Sequence, residues 1–336
     1  MEKGRDEMRG ILEMMGIVRN LRRDMKYVLN PCLDAQWNMA HDEFLLEGLS
    51  GKVFCLWQNA PSVIIGLNQS AYAEVNLPYL RENGIAIARR VTGGGAVYHD
   101  LGNLNYSIAG PINEMHDALD IVPKALLQLG ADVQRTGRND LTIGGRKCSG
   151  YAKRLSGNRI MIHGTLMWDV NLGILTEALA VPGSKLSSAG IASVHSRVAN
   201  LREHLPQFPD IQAFKAALHQ ILAGEDSEIK LTAEQLSGID AEADKKFRSW
   251  EWIYGHSPES NFQSSRKFPC GTIEARYSLK HGVLQSLSFS GDFIGNLPAD
   301  ELAKKLIGLR PEDISRTDVS DYFDGLSSLE LSKLFL

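Results

Sequence analysis

The stretch Arg89-Arg90-Val91-Thr92-Gly93-Gly94-Gly95-Ala96-Val97-Tyr98-His99-Asp100-Leu101-Gly102-Asn103-Leu104-Asn105-Tyr106-Ser107 organises the reading of this chain. Two arginines lead into three consecutive glycines, and a β-type run leads out. Glycine has no Cβ, so three in succession let bare N–H groups approach a ligand and adopt positive φ where an anion-binding nest needs it. An arginine beside such a loop adds planar, bidentate donors suited to phosphate or carboxylate. A plain Gly-rich turn with two surface arginines has the same composition. The polar residues Thr92, His99, Asp100, Asn103 and Asn105, interleaved with apolar anchors, favour a ligand cradle. Ile85-Ala86-Ile87-Ala88 reads as a strand, so the loop leaves a strand end, where a rigid scaffold aims backbone donors.

Downstream, Leu104, Tyr106 and Ile108 alternate with Asn103, Asn105 and Ser107, and a helix over 114–129 closes at Gly130. Next comes Gly137-Arg138-Asn139-Asp140-Leu141-Thr142-Ile143-Gly144-Gly145-Arg146-Lys147-Cys148-Ser149-Gly150. Gly144-Gly145 predicts a two-residue hairpin that sets Lys147 opposite Leu141 and Thr142. A second turn at Ser156-Gly157 returns as a strand over 159–167 carrying His163 and Thr165. Upstream, Asp34 caps a helix whose apolar face is Trp37, Ala40, Phe44 and Leu45, with Asp42, Glu43 and Glu47 largely off that face. His41 on this helix reads as a packed or surface histidine, not a ligand. Strands follow over 53–57 and 62–66, separated by a turn around Asn59 and Pro61.

Further helices are expected over 172–180, 211–222 and 232–250, then a polar linker and a small C-terminal unit with strands over 272–279 and 283–290. Hairpins interspersed with helices predict an α+β fold, a mixed or antiparallel sheet with flanking helices, plus a small α/β C-terminal unit. The expected division is an extension over 1–25, a main domain over 26–254, a linker over 255–261 and a C-terminal domain over 262–336. The glycines lack the spacing of either nucleotide fingerprint, so Rossmann and P-loop readings fail.

With 336 residues, 43% hydrophobic content and a formal charge of −4, the chain is unlike a uniformly basic nucleic-acid binder. Its four cysteines include no C-x-x-C pair, which favours a reducing, cytoplasmic setting over zinc or a disulfide framework. No membrane span, secretory signal or transit peptide is expected.

A Gly-rich loop with arginines, a hairpin lysine and an Asn-Asp pair suit one chemistry. Joining a carboxylate to the α-phosphate of a nucleoside triphosphate requires cancelling several negative charges. Lys147 can bridge the two anions, Arg90 and the Gly93, Gly94 and Gly95 amides can hold phosphate oxygens, and Asp140 can hold Mg²⁺ or orient the lysine. Taken singly, Lys147 is equally a solvated strand lysine and Asp140 a turn residue.

These residues carry a resemblance. The pattern R-R-x-[ST]-G-G-G-A-V-[FY]-H-D-x-G-N-L-N runs from Arg89 to Asn105. G-R-N-D-L stands at 137–141, R-K-x-S-G at 146–150 and H-G-T-L at 163–166. The run from Lys185 through Ser193, Val194 and Ser196 to Leu201, and Phe247-Arg248-Ser249-Trp250-Glu251-Trp252, add to it. Over roughly residues 26–330 the chain resembles lipoate–protein ligase A, of the biotin/lipoyl ligase-like fold.

The resemblance implies ATP-dependent formation of lipoyl-AMP, then transfer of the lipoyl group to a lysine of an acceptor protein. Acceptors would be lipoyl domains of 2-oxoacid dehydrogenase acyltransferase subunits or the glycine-cleavage carrier protein. It implies ATP and adenylate binding by Arg90, Gly93, Gly94, Gly95, Ala96, Val97, Tyr98, Asp140 and Lys147. Lipoate, or octanoate, would be held by Arg90, His99, Lys147, Ser149, His163 and Thr165, with Lys147 catalytic and Mg²⁺ on Asp140. Cys148 and Trp168 depart from the family pattern. One rival is a lipoyl or octanoyl transferase that uses a preformed acyl donor without ATP activation, and Cys148 raises a rival mechanism through a cysteine thioester. Strand alternation opposes it, since a neighbour of an inward Lys147 faces away. A biotin ligase would carry a tryptophan near residue 138, and a non-catalytic binding module would not need Lys147.

Overall fold

The computed structural model describes residues 25–137, 139–179, 197–223 and 228–335. The expected extension, apart from Met25, and the matches from Lys185 to Ser196 lie outside these residues. Four strands precede the Gly-rich loop: β1 (Met25–Val28), β2 (Lys52–Trp57), β3 (Ser62–Ile65) and β4 (Ala86–Arg89). The loop returns as β5 (Val97–His99), followed by β6 (Asn103–Pro111), β7 (Val133–Thr136), β8 (Asp140–Ile143), β9 (Arg146–Ser156) and β10 (Arg159–Met167). After β11 (Glu228–Ile229), the C-terminal unit contributes β12 (Ser260–Phe268), β13 (Gly271–Lys280) and β14 (Val283–Gly291).

These strands form an eight-stranded sheet ordered β11-β1-β2-β6-β10-β9-β8-β7, a three-stranded sheet β4-β3-β5, and the C-terminal sheet β12-β13-β14. The large sheet is mixed, because β1 runs parallel to both β11 and β2 whereas β2, β6 and β10 pair antiparallel. The fold is therefore α+β, as the hairpin signals imply. Gly144 and Gly145 take φ of 56° and 75°, a primed turn only glycine makes cheaply, and Thr142 pairs with Lys147 across it. The turn near Asn59 and Pro61 does not make a hairpin. Asn59 is fully buried and Asn38 donates to its side chain, so the chain crosses from β2 in one sheet to β3 in the other.

Asp34 caps the helix Ala35–Glu47, accepting from the Gln36 and Trp37 amides at 2.9 and 3.1 Å. The helix packs on β4, β6 and β10 and on the helix Ala233–Glu242, so it is enclosed on most sides. Asp42, expected off the apolar face, is consequently 1% exposed, and His41 is fully buried. The long helix expected over 232–250 is a regular helix Ala233–Glu242 with a Thr232/Gln235 capping box, then wider π-type turns at Ala243–Phe247 and Glu251–Gly255.

One core lies under β2, β6 and β10, with Phe54, Leu104, Ile108, Trp168 and Phe214 at its centre. Another runs from Val63 and Tyr98 of the small sheet into the C-terminal unit at Ile273, Leu302 and Phe323. A unit of about 75 residues buries little surface by itself, and here its apolar side chains are continuous with the neighbouring sheet. Ser257, in the expected linker, is 1% exposed. Among the described residues no helix is long and apolar enough to cross a membrane.

Candidate active site

A row of paired residues crosses the large sheet: Trp57 on β2 opposite Asn105 on β6, Asn105 opposite Thr165 on β10, and Gly150 on β9 opposite Asp140 on β8. The Gly150 amide donates to Thr165 Oγ1 at 3.3 Å, which joins the two halves of the row. Over this row lies a cavity of about 130 Å³. Lys147, Asn139, Gly150 and Thr165 lie toward one end of the row, and Met39, Trp57 and Ile64 line the apolar side. The facing wall is the Gly-rich loop with Val97 and His99 of β5.

The loop is folded around Arg90. Its Nη2 donates to the carbonyls of Gly93 and Gly95, both at 2.8 Å, its Nε to Thr92 Oγ1 at 3.1 Å, and its Nη1 to the Ile64 carbonyl at 3.1 Å. Burial lowers the guanidinium to about 10, so it stays charged at neutral pH. Because peptide units are planar, committing the Gly93 and Gly95 carbonyls to Arg90 turns the Gly94 and Ala96 amides the opposite way. Gly94 has φ of 100°, and a Cβ on Gly66 would sit 2.0 Å from the Gly94 carbonyl oxygen. Gly66 is thus a glycine for close approach that the motif reading passes over. Arg89 points the other way, fully buried, and donates to the carbonyls of Gly66, Leu67, Gln69, Trp252 and Ile253 and to Ser257 Oγ.

A buried chain of hydrogen bonds supports Arg90 from behind. Trp57 Nε1 donates to Ser107 Oγ at 2.9 Å, and Ser107 Oγ donates to Asp42 Oδ1 at 2.5 Å. Asp42 Oδ2 lies 2.6 Å from His163 Nδ1, and His163 Nε2 lies 2.7 Å from Thr92 Oγ1. With the Nδ1 proton directed to Asp42, His163 Nε2 accepts from the Thr92 hydroxyl, whose oxygen accepts from Arg90 Nε. Every bond then has one donor and one acceptor.

At the mouth, Lys147 Nζ pairs with Asp140 Oδ1 at 2.8 Å, both side chains more than one-third exposed. Among the described residues no group of three or more His, Cys, Asp or Glu could hold a metal by itself. A single carboxylate about one-third exposed does suit Mg²⁺, which takes one or two carboxylates and fills its remaining positions with water and substrate phosphates. The neighbouring Cys148 sits at a bulge in the β8/β9 pairing, fully buried in the core, and burial raises its thiol to about 12.

Of the residues expected from the sequence, Arg90, Gly94, Gly95, Ala96, Val97, His99, Lys147, His163 and Thr165 share this one cavity. Asp140 stands at its mouth. Gly93, Tyr98 and Ser149 are not part of the lining. Tyr98 alternates away from Val97 and His99 into the second core, and Ser149 is fully buried on the far side of the bulge. Arg138 lies outside the described residues. Asp42, Ser107, Met39, Trp57 and Ile64 are site residues the sequence reading lacks. The aromatic and aliphatic strand positions Trp57 and Ile64 are visible in the sequence only as core, and Asp42 finds its partner 121 residues later.

The sequence matches the profile described as the lipoyl protein ligase A/B catalytic domain over residues 34–223, and the bacterial lipoate protein ligase C-terminus over residues 257–335. The chain belongs to the lipoate–protein ligase family. Lipoate–protein ligase 1 of Staphylococcus aureus is 35% identical over 326 residues, covering 92% of this chain and 99% of that one. A lipoate–protein ligase of Bacillus subtilis is 35% identical over 306 residues, covering 88% and 92%. Among solved structures, the bipartite lipoate protein ligase of Thermoplasma acidophilum, described with its E2 lipoyl domain, aligns with a TM-score of 0.62 at 29% identity, covering 69% of this chain and 96% of that one. A lipoate–protein ligase A bound with ATP aligns with a TM-score of 0.60 at 28% identity, covering 69% and 98%. These ligases share the arrangement of mixed sheet and flanking helices seen here.

Proposed function

We propose that this protein condenses lipoate with ATP to lipoyl-AMP and transfers the lipoyl group to a lysine of an acceptor protein. The observation that carries the reading is one continuous cavity that joins an apolar side lined by Met39, Trp57 and Ile64 to a polar mouth with Lys147 and the glycine loop. An acyl tail fits the first and a mixed anhydride the second. In the first step a lipoate carboxylate oxygen attacks the α-phosphorus, and the bond to pyrophosphate breaks. Lys147 offsets the charge of both anions, and the Gly94 and Ala96 amides, turned away from Arg90, donate to phosphate oxygens in this reading. In the second, the acceptor's neutral ε-amine attacks the acyl carbonyl, with Lys147 polarising the carbonyl. The bond to AMP breaks with AMP taking the electron pair, and the nitrogen loses a proton to solvent as the amide forms.

Asp140 would supply the protein ligand to Mg²⁺, whose chemistry is to neutralise phosphate charge. His163 and Thr92 hold Arg90, and through it the loop. Lipoyl domains of 2-oxoacid dehydrogenase acyltransferase subunits and the glycine-cleavage carrier protein are the acceptors in this reading, and the cytoplasm is the setting. A transferase working through a Cys148 thioester is disfavoured by the burial of that thiol. Mass spectrometry of an apo lipoyl domain incubated with protein, ATP and lipoate tests the reading. A lipoyl mass increment that vanishes when either small molecule is omitted is expected, and an increment without ATP would overturn it.

A further inference from the structure

Two residues that line the cavity each carry a buried nitrogen with no hydrogen-bond partner among the described residues, His99 Nε2 and Asn105 Nδ2. His99 is 3% exposed and Asn105 1%. The proton on His99 is assigned by a chain of amides. Asn38 Nδ2 donates to the carbonyls of Cys32 and Gln58, both at 3.0 Å, and a carbonyl can only accept, so the orientation of this amide is fixed. The same Nδ2 lies 2.8 Å from Asn59 Oδ1, sharing one of its two hydrogens with a carbonyl. A nitrogen in that place would repel it, so the oxygen faces Asn38 and Asn59 Nδ2 is left to donate to His99 Nδ1 at 3.0 Å. His99 is therefore the Nε2–H tautomer. Burial first, then the positive charge of Arg90 and the proximity of His163, push its imidazolium down to about 3, so the ring is neutral at working pH. Asn105 Oδ1 accepts from Asn103 Nδ2 at 2.9 Å, which leaves the Asn105 amide hydrogens as donors.

Both donors lie toward the apolar side. Asn105 is paired with Trp57, and the His99 ring meets the Trp57 ring edge-on with centroids 6.4 Å apart. At roughly 4.8 Å per strand, β6 is about 10 Å from the β9 backbone that carries Lys147. Both nitrogens are shut off from water, and a buried donor without an acceptor costs about 1–3 kcal/mol, so a ligand atom that can accept from them is favoured over one that cannot. An unsubstituted alkyl chain offers no acceptor. A dithiolane offers two sulfurs, weak but polarisable acceptors. We infer that His99 and Asn105 form a donor pair that selects an acyl chain bearing lone-pair sulfur in its distal half over a plain alkanoate of the same backbone length. The inference rests on the lipoate-ligase reading.

The test is ATP–pyrophosphate exchange by the full-length protein with lipoate and with octanoate. The wild type is expected to favour lipoate by about tenfold in kcat/KM. That ratio is expected to fall at least threefold in Asn105→Leu and in His99→Phe, mainly through the KM for lipoate, and to recover in His99→Gln, which restores an N–H. A merely structural role would lower both acids together, and an unchanged ratio would overturn the assignment. The wild type alone gives a second measurement, with octanoate analogues in which one methylene is replaced by sulfur at successive positions. Preference for sulfur in the distal half is expected, and equal kcat/KM at every position would overturn it. Exchange with neither acid would instead refute the ligase reading, and the donor pair with it.

Discussion

Asp42 on the helix Ala35–Glu47 and His163 on β10 are 2.6 Å apart, buried, and connected through Thr92 to the guanidinium that folds the glycine loop. Asp42 is the acceptor for two donors, Ser107 Oγ–H and His163 Nδ1–H. Asp42→Ala leaves both unpaired, which costs about 2–5 kcal/mol of stability. Asp42→Asn can accept from one donor but presents an N–H to the other, and His163 loses the partner that holds its tautomer. Adenylation by Asp42→Asn is therefore expected to fall about tenfold or more while circular dichroism stays native. Wild-type adenylation in this variant would show that the relay does not position Arg90.

Lys147 and the glycine loop line the same cavity, as the adenylation reading requires. Lys147→Ala is expected to lower ATP–pyrophosphate exchange at least about a hundredfold, the scale for losing one electrostatic contact in a transition state. Lys147→Arg is expected to recover little, because a planar fork does not replace a compact charge between two anions. The side chain is 40% exposed, so thermal unfolding of both variants should stay close to the wild type. Exchange at wild-type rates in Lys147→Ala would remove the lysine from the mechanism.

Cys148 is the place where the family pattern and a thioester mechanism compete, and the β8/β9 bulge argues against the thioester. The pairing skips Cys148, which turns into the core while Lys147 keeps the cavity. A thiol raised to about 12 by burial is not a thiolate at neutral pH. Cys148→Ala is expected to retain most ligation activity, with a loss of stability near ~1 kcal/mol from the missing sulfur. Iodoacetamide should not label this thiol in the native protein, and rapid native-state labelling would contradict its placement.

The hairpin at Gly144-Gly145, the Asp34 cap and the arginine–glycine loop are legible in the sequence because each is encoded within a few residues. A primed turn needs glycine, a cap needs a short acceptor, and the end of the strand before the loop is marked by the glycines beyond it. Asp42 is not legible in this way, since its role depends on Ser107 and His163, which are remote in sequence and meet only after the sheet forms. Local spacing places it off the apolar face of its helix, but the helix is covered on that side too. Tyr98 and Ser149 lie inside matching motifs, yet alternation and a one-residue bulge direct their side chains away from the cavity. A motif match does not resolve which way successive residues face.

Two buried histidines make stability pH-dependent. Burial lowers His41 to about 4, and burial with neighbouring positive charge lowers His99 to about 3. Both lie below the unfolded value of 6.5, so between pH 6.5 and about 4 the unfolded chain binds protons that the native protein does not. Stability is then complete above pH 6.5 and is lost as pH falls, by up to about 1.4 kcal/mol per pH unit for each histidine. Thermal denaturation should show Tm falling from about pH 7 to about pH 5. His41→Gln is expected to flatten that slope, and an undiminished slope would assign the effect to other groups.

Arg89 ties the first half of the site to the last third of the chain. Its guanidinium is fully buried and donates to the carbonyls of Gly66, Leu67 and Gln69 on one side and of Trp252 and Ile253 on the other. It also donates to Ser257 Oγ, which accepts from the Ala71 amide at 3.1 Å. Burial lowers the guanidinium only to about 10, so it remains a cation at neutral pH, solvated by carbonyl dipoles and the Ser257 hydroxyl. Arg89→Met matches the stem but abandons several buried carbonyls, each unpaired group costing about 1–3 kcal/mol before relaxation. Tm should drop sharply, and limited proteolysis should open a new cleavage site over 253–260, because the contacts that seat this segment are gone. Arg89→Lys, with three donors in place of five, should fall between the two. A Tm within experimental error of the wild type, with no new cleavage, would show that the apolar core shared between Val63 and Phe323 holds the C-terminal unit in place without this arginine.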